Sequence, residues 1–114
     1  MNLLSDLKSL ISSLGIPVET GIFSEKAPDN YTVLIPLSDE FFAYADDQPG
    51  ADVQSVRISL YTKRNYKNLK RSILHALLNA GYSITERQYM GFETDSKYHH
   101  YNIDVENVYE MEEL

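Results

Sequence analysis

The sequence contains no cysteine among its 114 residues. This absence excludes a disulfide framework, zinc–thiolate sites, iron–sulfur clusters and a cysteine nucleophile, and it is compatible with a reducing compartment. The standard catalytic motifs are missing too, because the chain has no glycine-rich phosphate loop, no nucleophile elbow and no HExxH helix. We therefore expect a protein that is not an enzyme and that carries no cofactor.

Long hydrophobic runs are also missing. No stretch approaches the roughly 20 apolar residues that a membrane-spanning helix needs. Polar residues interrupt the first apolar segment at helical spacing, so the N-terminus does not resemble a targeting signal: Ser5, Asp6, Lys8 and Ser9. We expect no membrane contact and a protein that stays in the cytoplasm where it is made.

The composition is that of an ordinary globular domain, with 43% hydrophobic and 24% charged residues. The length is typical of one domain, so residues 1–114 are expected to share one core. The last residues, 110–114, are expected to fray.

The charge is unevenly distributed along the chain. Ten basic residues oppose 17 acidic ones, and the net charge of -7 disfavours non-specific binding to DNA phosphates. Five basic residues lie close together, namely Lys63, Arg64, Lys67, Lys70 and Arg71. Acidic residues crowd the C-terminus, namely Asp104, Glu106, Glu110, Glu112 and Glu113. Such a polarised charge is typical of two solvated surfaces, but it also suits subunits that pack head to tail.

Two segments have the apolar spacing of amphipathic helices. The first runs from Leu3 to Leu14, and Gly15 follows where a C-cap is expected. The second begins near Asn65, a favourable N-cap, and ends at Gly81. The basic cluster lies at its start, where cations interact unfavourably with the helix dipole. We therefore expect an acidic neighbour that holds these basic residues in place. His75 lies beside the apolar stripe and is predicted to be a partly buried structural residue.

Five segments are predicted as strands by their β-branched, aromatic or alternating residues. These are Val18–Phe23, Tyr31–Ile35, Val53–Tyr61, Tyr82–Met90 and Tyr98–Val108. Turn residues between the first two strands indicate a hairpin, and residues 91–96 indicate another between the last two. Pro36 lacks a ladder donor and is expected at an edge, a bulge or a strand end.

The order α-β-β-β-α-β-β predicts an α+β domain. In it, an antiparallel or mixed sheet of four to five strands packs one face against two helices. Phe41, Phe42 and Tyr44 precede a turn-rich stretch that contains Asp46 and Asp47. This stretch predicts either a long projecting hairpin or a surface loop whose aromatic residues fold back, and the sequence leaves both open.

Candidate metal ligands are few. His99 and His100 are adjacent, with Asp95 nearby, but neighbours in a strand point to opposite faces and cannot both bind one ion without a bulge. The carboxylate pairs Asp39–Glu40 and Asp46–Asp47 have no visible acid/base partner and are predicted to be solvated. We therefore expect no metal site. The nine tyrosines are compatible with a protein interface and equally with sheet packing.

Several segments together resemble small proteins encoded in the neck and tail modules of long-tailed phages and prophages of Firmicutes. The resemblance is to the tail terminator, or tail completion, type. It covers nearly the whole chain and rests on Met1–Leu10, Ile16–Phe23, Ala27–Asp29, Tyr31–Leu34, Asp52–Tyr61 and Tyr98–Val105. The predicted order of helices and strands matches the fold of that family, which has no catalytic motif to transfer.

The resemblance implies a structural virion protein of the neck and tail that assembles in the host cytoplasm. Its subunits would form a ring, typically a hexamer, that ends the tail tube, contacts the tail-tube protein and the head–tail connector, and lets genomic DNA pass through its lumen without specific binding. Charge and aromatic placement then predict ten residues of the subunit or tube interface, namely Phe41, Phe42, Tyr44, Asp46, Asp47, Lys63, Arg64, Lys67, Lys70 and Arg71. An acidic edge of a neighbouring subunit, formed by Asp46, Asp47, Asp52 or the C-terminal glutamates, is expected to oppose the basic residues.

Three alternatives stay open at the level of sequence. A head–tail connector or minor capsid component would have a similar size and context. A small metal-dependent hydrolase would use His99, His100 and carboxylates, and would be purified with bound metal. A ligand-binding or regulatory domain would be a monomer or a dimer.

Overall fold

The computed structural model describes residues 2–21, 27–42 and 50–110, which form two helices and five strands. The helices are α1 (Leu3–Ser13) and α2 (Tyr66–Asn79). The strands are β1 (Val18–Thr20), β2 (Asn30–Phe42), β3 (Ala51–Thr62), β4 (Ser83–Phe92) and β5 (His99–Glu110). The predicted α+β class and the order α-β-β-β-α-β-β are confirmed.

Local side-chain chemistry sets the ends of both helices. The Asn2 side chain accepts a 2.8 Å hydrogen bond from the Ser5 N–H at the start of α1, and Asn65 accepts one of 3.0 Å from Lys67 at the start of α2. After α1, Gly15 takes a φ of +79°, a conformation that a residue with a Cβ adopts only at a cost. The two predicted helices are therefore confirmed, together with Gly15 at the end of α1 and the N-cap Asn65 of α2; the N-cap Asn2 was not predicted.

The five strands form one mixed sheet in the order β1-β2-β3-β5-β4. β1 runs parallel to β2, with Val18 opposite Thr32, and the other neighbours are antiparallel. The predicted hairpin between the first two strands is therefore wrong. Residues 21–29 separate these strands, and this separation is longer than a normal hairpin loop.

Both helices pack on the same face of the sheet and form the core with it. The sheet contributes the alternate residues of each strand, so that Val56, Ile58 and Leu60 of β3 are buried under the helices. The fully buried apolar side chains are Leu3, Leu7, Ile11, Leu34, Ile58, Leu60, Ile73, Leu77, Ile103 and Val105. We call the opposite side, which faces away from the helices, the open face of the sheet.

The strand β2 continues beyond its short neighbour β1. The last β1–β2 pair is Thr20–Leu34, and the β2–β3 register shifts between Pro36 and Ser38. Pro36 therefore lies at a bulge. It has β3 on one side and no described strand on the other, as its missing N–H predicts.

The far ends of β2 and β3 remain paired as far as Phe42 and Ala51. This pairing favours the long hairpin over the loop that folds back, and β5 accompanies β3 to the same level through the pair Ala51–Glu110. The elongated molecule measures 54 × 27 × 24 Å. Of the residues expected to fray, Glu110 belongs to β5, and residues 111–114 lie outside the described part of the chain.

Candidate functional site

A groove runs along the outer side of α2 and reaches the edge strand β4. Its first half has a volume of about 320 Å³ and is lined by Lys67, Lys70, Arg71, Leu74, His75 and Leu78. Its second half has a volume of about 330 Å³ and is lined by Leu74, Leu78, Ile84 and Arg87. Because the two halves share Leu74 and Leu78, we treat them as one surface and call it the α2 groove.

The α2 groove has an apolar floor and a cationic rim. Leu78 is 60% exposed on this floor, next to the largely buried Leu74. The described residues that line the groove include four cations and no carboxylate. Lys67, Arg71 and Arg87 are exposed, and none of them forms an ion pair with a described residue. Exposed apolar surface beside unpaired charges of one sign is typical of a surface that meets a partner.

Helix geometry explains why these residues lie together. Residues three and four positions apart share one side of a helix, so Lys67 and Arg71 lie in one row and Lys70, Leu74 and Leu78 in another. Ile73 and Leu77 point to the sheet and are fully buried. Leu78 follows Leu77 directly and therefore lies off the core stripe. A leucine outside the stripe was the available sequence signal for this floor.

His75 also lines the groove, and its placement corrects the sequence analysis. It is exposed on the outer side of α2, whereas we predicted a partly buried structural residue. The reason is the helix period, since His75 falls between the two turns whose residues Ile73 and Leu77 face the sheet.

Aromatic rings, not a carboxylate, hold Lys70 in place. Its Nζ lies 5.2 Å from the centre of the Tyr101 ring and 5.8 Å from that of Tyr66. Tyr66 in turn stacks on Tyr89 of β4, with ring centres 4.8 Å apart. The expected acidic neighbour exists for a different residue, Lys63, whose Nζ lies 3.9 Å from Asp29.

The five basic residues thus form two groups instead of one patch. Lys63 and Arg64 precede α2 and face the ends of β2 and β3, where Lys63 also lies 5.0 Å from the Tyr98 ring centre. Arg64 lines a separate polar cleft of about 410 Å³ with Asn30, Thr62, Asn65, Asn68, Leu69 and Ser72. Of the predicted interface residues whose side chains the structure describes, Lys67, Lys70 and Arg71 come together in the α2 groove.

The other predicted interface residues lie elsewhere. The backbones of Phe41 and Phe42 belong to the far end of β2, where they pair with Asp52 and Ala51. Tyr44, Asp46 and Asp47 lie outside the described residues.

The far end of the sheet is acidic. Asp39 and Glu110 are exposed there, and Glu106 is half-buried. We call this region, where β3 begins and β5 ends, the acidic end. Asp52 lies in it but is only 6% exposed and accepts a 2.7 Å hydrogen bond from the Gln54 side chain. Asp52 is therefore unavailable to a neighbouring subunit, contrary to the expectation from sequence.

The two adjacent histidines lie on opposite faces of β5, as predicted. His99 is on the helix side, where its Nδ1 lies 2.9 Å from the Tyr89 hydroxyl. His100 is on the open face and stacks on Tyr61 with ring centres 4.3 Å apart; burial lowers its pKa. Within residues 2–21, 27–42 and 50–110, no three or more His, Asp or Glu side chains converge on a possible metal position.

The open face carries a row of polar and aromatic contacts. Arg57 binds both carboxylate oxygens of Asp104, at 2.8 and 3.1 Å. Tyr31 stacks on Tyr61, with ring centres 4.8 Å apart, and Tyr98 meets both rings edge to face. Burial, together with the neighbouring tyrosines and a carboxylate, raises the pKa of Tyr31 to about 12. Many of the tyrosines therefore serve sheet packing.

Neither a model of a known protein family nor a curated protein matches the chain significantly. The relationship to tail terminators therefore stays a resemblance. Within the described residues, no helix is both long and apolar enough to cross a membrane. The function has to be inferred from the fold and from the chemistry of the two surfaces, the α2 groove and the acidic end.

Proposed function

We propose that the protein is a structural subunit of the tail-terminator type. Its copies assemble head to tail into a ring, typically a hexamer, that ends the tail tube and joins it to the head connector of a long-tailed phage. The observation that supports this most is the presence of two different, complementary surfaces on one subunit. The order of helices and strands, which is the one expected for that family, agrees with the proposal.

The two surfaces allow a head-to-tail contact. A two-fold contact centred on the α2 groove would instead bring the cations of both copies together, and they would repel each other. A cationic groove that meets the acidic end of the next copy gives a heterologous contact, which repeats until the ring closes. Each subunit of the ring then uses both surfaces.

The positions of the two surfaces prevent one subunit from pairing them internally. The cationic half of the groove lies beside Tyr101, because Lys70 rests on that ring. The acidic end lies at Glu110, which is about 30 Å further along β5 at the normal rise of a strand. The cationic half of the groove and Glu110 are therefore too far apart to pair with each other within one subunit.

The charge of the chain suits a ring through which DNA passes. The net charge of -7 disfavours attraction to phosphates, which would slow the passage of the genome. In this proposal the protein catalyses no reaction, and its work is to end tube growth and to present a surface to the connector. It would be found in the virion neck and tail, after assembly in the host cytoplasm.

The proposal is tested by light scattering combined with electron microscopy. The molar mass is measured for the protein alone and after mixing with the tail-tube protein encoded beside it. We expect a ring-sized species, or tubes of limited length with the protein at one end. A protein that stays monomeric and leaves tube growth unchanged contradicts the proposal, and binding to the connector protein alone identifies a connector component.

A further inference from the structure

The α2 groove has the chemistry of a site for a short acidic and apolar segment. Its floor presents two leucines, Leu74 and Leu78, one helical turn apart. Its rim presents unpaired cations on both sides of the floor, with Lys67 and Arg71 on the helix and Arg87 on β4. A ligand that fits must bury apolar side chains and bring carboxylates at the same time.

The chain itself contains such a segment. Residues 111–114, which follow β5, read Met-Glu-Glu-Leu. Two apolar side chains, Met111 and Leu114, match the two leucines of the floor in number. Two carboxylates, Glu112 and Glu113, match the cations of the rim.

The segment cannot reach the cationic half of the groove on its own subunit. Lys70 contacts Tyr101, and β5 continues from Tyr101 to Glu110 over about 30 Å. Four residues span at most about 14 Å when fully extended. A segment that pairs with Lys67 and Lys70 must therefore come from a second copy of the chain.

We propose that the α2 groove binds residues 111–114 of the neighbouring copy. This inference rests on the proposed head-to-tail ring and names its contact: the C-terminal segment of one subunit lies across α2 of the next. Met111 and Leu114 cover Leu74 and Leu78, while Glu112 and Glu113 pair with Lys67, Arg71 and Lys70. Every subunit offers one groove and one segment, so the contact repeats around the ring.

The test uses charge reversal in the full-length protein. One variant changes the groove, Lys67→Glu with Arg71→Glu, and the other changes the segment, Glu112→Lys with Glu113→Lys. Like charges across a contact weaken it strongly, so we expect each variant alone to assemble roughly 100-fold more weakly than the wild type. The combined variant, with all four changes in one chain, restores opposite charges and regains the ring.

Mixing the two variants distinguishes this contact from a general charge effect. The cationic groove of the segment variant meets the acidic segment of the groove variant, and the acidic groove of the groove variant meets the lysines of the segment variant. Both contacts in the mixture therefore join opposite charges, and we expect an equimolar mixture to regain a ring in which the two variants alternate, although neither variant forms it alone. The matched control, Lys8→Glu with Lys97→Glu, makes the same charge change at exposed residues outside the groove and leaves the ring intact.

The outcomes separate this inference from the proposed function. A wild-type ring that also forms with Glu112→Lys and Glu113→Lys overturns the inference and leaves the ring standing. A wild-type protein that stays monomeric with and without the tube protein overturns both. Binding of the groove to tube or connector protein, unaffected by changes in the segment, assigns the groove to another partner and overturns the inference as well.

Discussion

The hydroxyl of Tyr109 donates a 2.6 Å hydrogen bond to the carboxylate of Asp6 and so joins the last strand to the first helix. Tyr109 is 4% exposed on the helix side of β5. Burial and the hydrogen bond to Asp6 both raise the pKa of Tyr109, so the hydroxyl stays protonated and remains a donor. This contact fixes α1 against the strand from which residues 111–114 continue, and it therefore supports the acidic end.

Removing this hydrogen bond should lower stability without changing the fold. We expect Tyr109→Phe to reduce the free energy of unfolding by about 1–2 kcal/mol, because a hydrogen bond to a charged group is stronger than a neutral one. Urea denaturation followed by circular dichroism measures the change. In a double-mutant cycle with Asp6→Ala, the two effects should be clearly non-additive. Simple additivity would show that the two side chains are not coupled.

Local signals made the helices predictable. The leucine spacing of α1 and the glycine that follows it act within a few residues, and the structure agrees with both. The direction of β1 was not predictable in the same way, since the parallel pairing of β1 with β2 is a tertiary contact between separate segments. The hairpin prediction used turn composition alone and therefore gave the wrong strand direction.

The candidate site was predictable only in part. Lys67, Lys70 and Arg71 were identified from their crowding in the sequence, but the separation of Lys63 and Arg64 follows from the point where α2 begins. The contact between Lys70 and Tyr101 depends on the register of β5 and on the packing of α2 over it. Arg87 joins the groove through the same tertiary packing, which no spacing in the sequence reveals.

The stacked histidine on the open face predicts a loss of stability in mild acid. Burial, the largest cause, lowers the pKa of His100, and the positive charge of Arg57 lowers it further. The unfolded chain therefore binds a proton at a higher pH than the folded one does. The stabilisation that neutral His100 gives to the fold is complete above about pH 6.5. It is lost as the pH falls from there toward the pKa of His100 in the folded protein.

Melting temperatures at pH 8 and pH 5 test this prediction. His100→Gln should flatten the difference between the two pH values, even if it lowers the melting temperature at pH 8 through the loss of stacking on Tyr61. His75→Gln is the matched control, because His75 is exposed on α2. An unchanged acid dependence in His100→Gln would show that other groups cause it.

Removing one partner of the ion pair on the open face should lower the free energy of unfolding more than replacing both partners. Asp104 is largely buried, with its side chain 9% exposed, while the Arg57 side chain is 37% exposed. Arg57→Leu leaves a buried carboxylate without its partner, and we expect a loss of roughly 2–3 kcal/mol. Arg57→Leu with Asp104→Leu should recover much of this loss, because neither charge is then buried unpaired. Chemical denaturation of the three proteins checks the order, and a double variant less stable than Arg57→Leu would contradict it.

Two consecutive leucines of α2 should separate folding from assembly. Leu77 is fully buried in the core, whereas Leu78 is 60% exposed on the floor of the groove. We expect Leu77→Ala to lower the free energy of unfolding by about 2–5 kcal/mol, since it leaves a cavity between α2 and the sheet. Leu78→Ser should change stability by less than about 0.5 kcal/mol, because an exposed side chain contributes little to the fold of one subunit.

The Leu78→Ser change should nevertheless weaken ring formation, measured by light scattering over a dilution series, because it removes apolar surface where the neighbouring copy binds. A Leu78→Ser protein that assembles like the wild type would show that the exposed leucine does not face a partner in the ring.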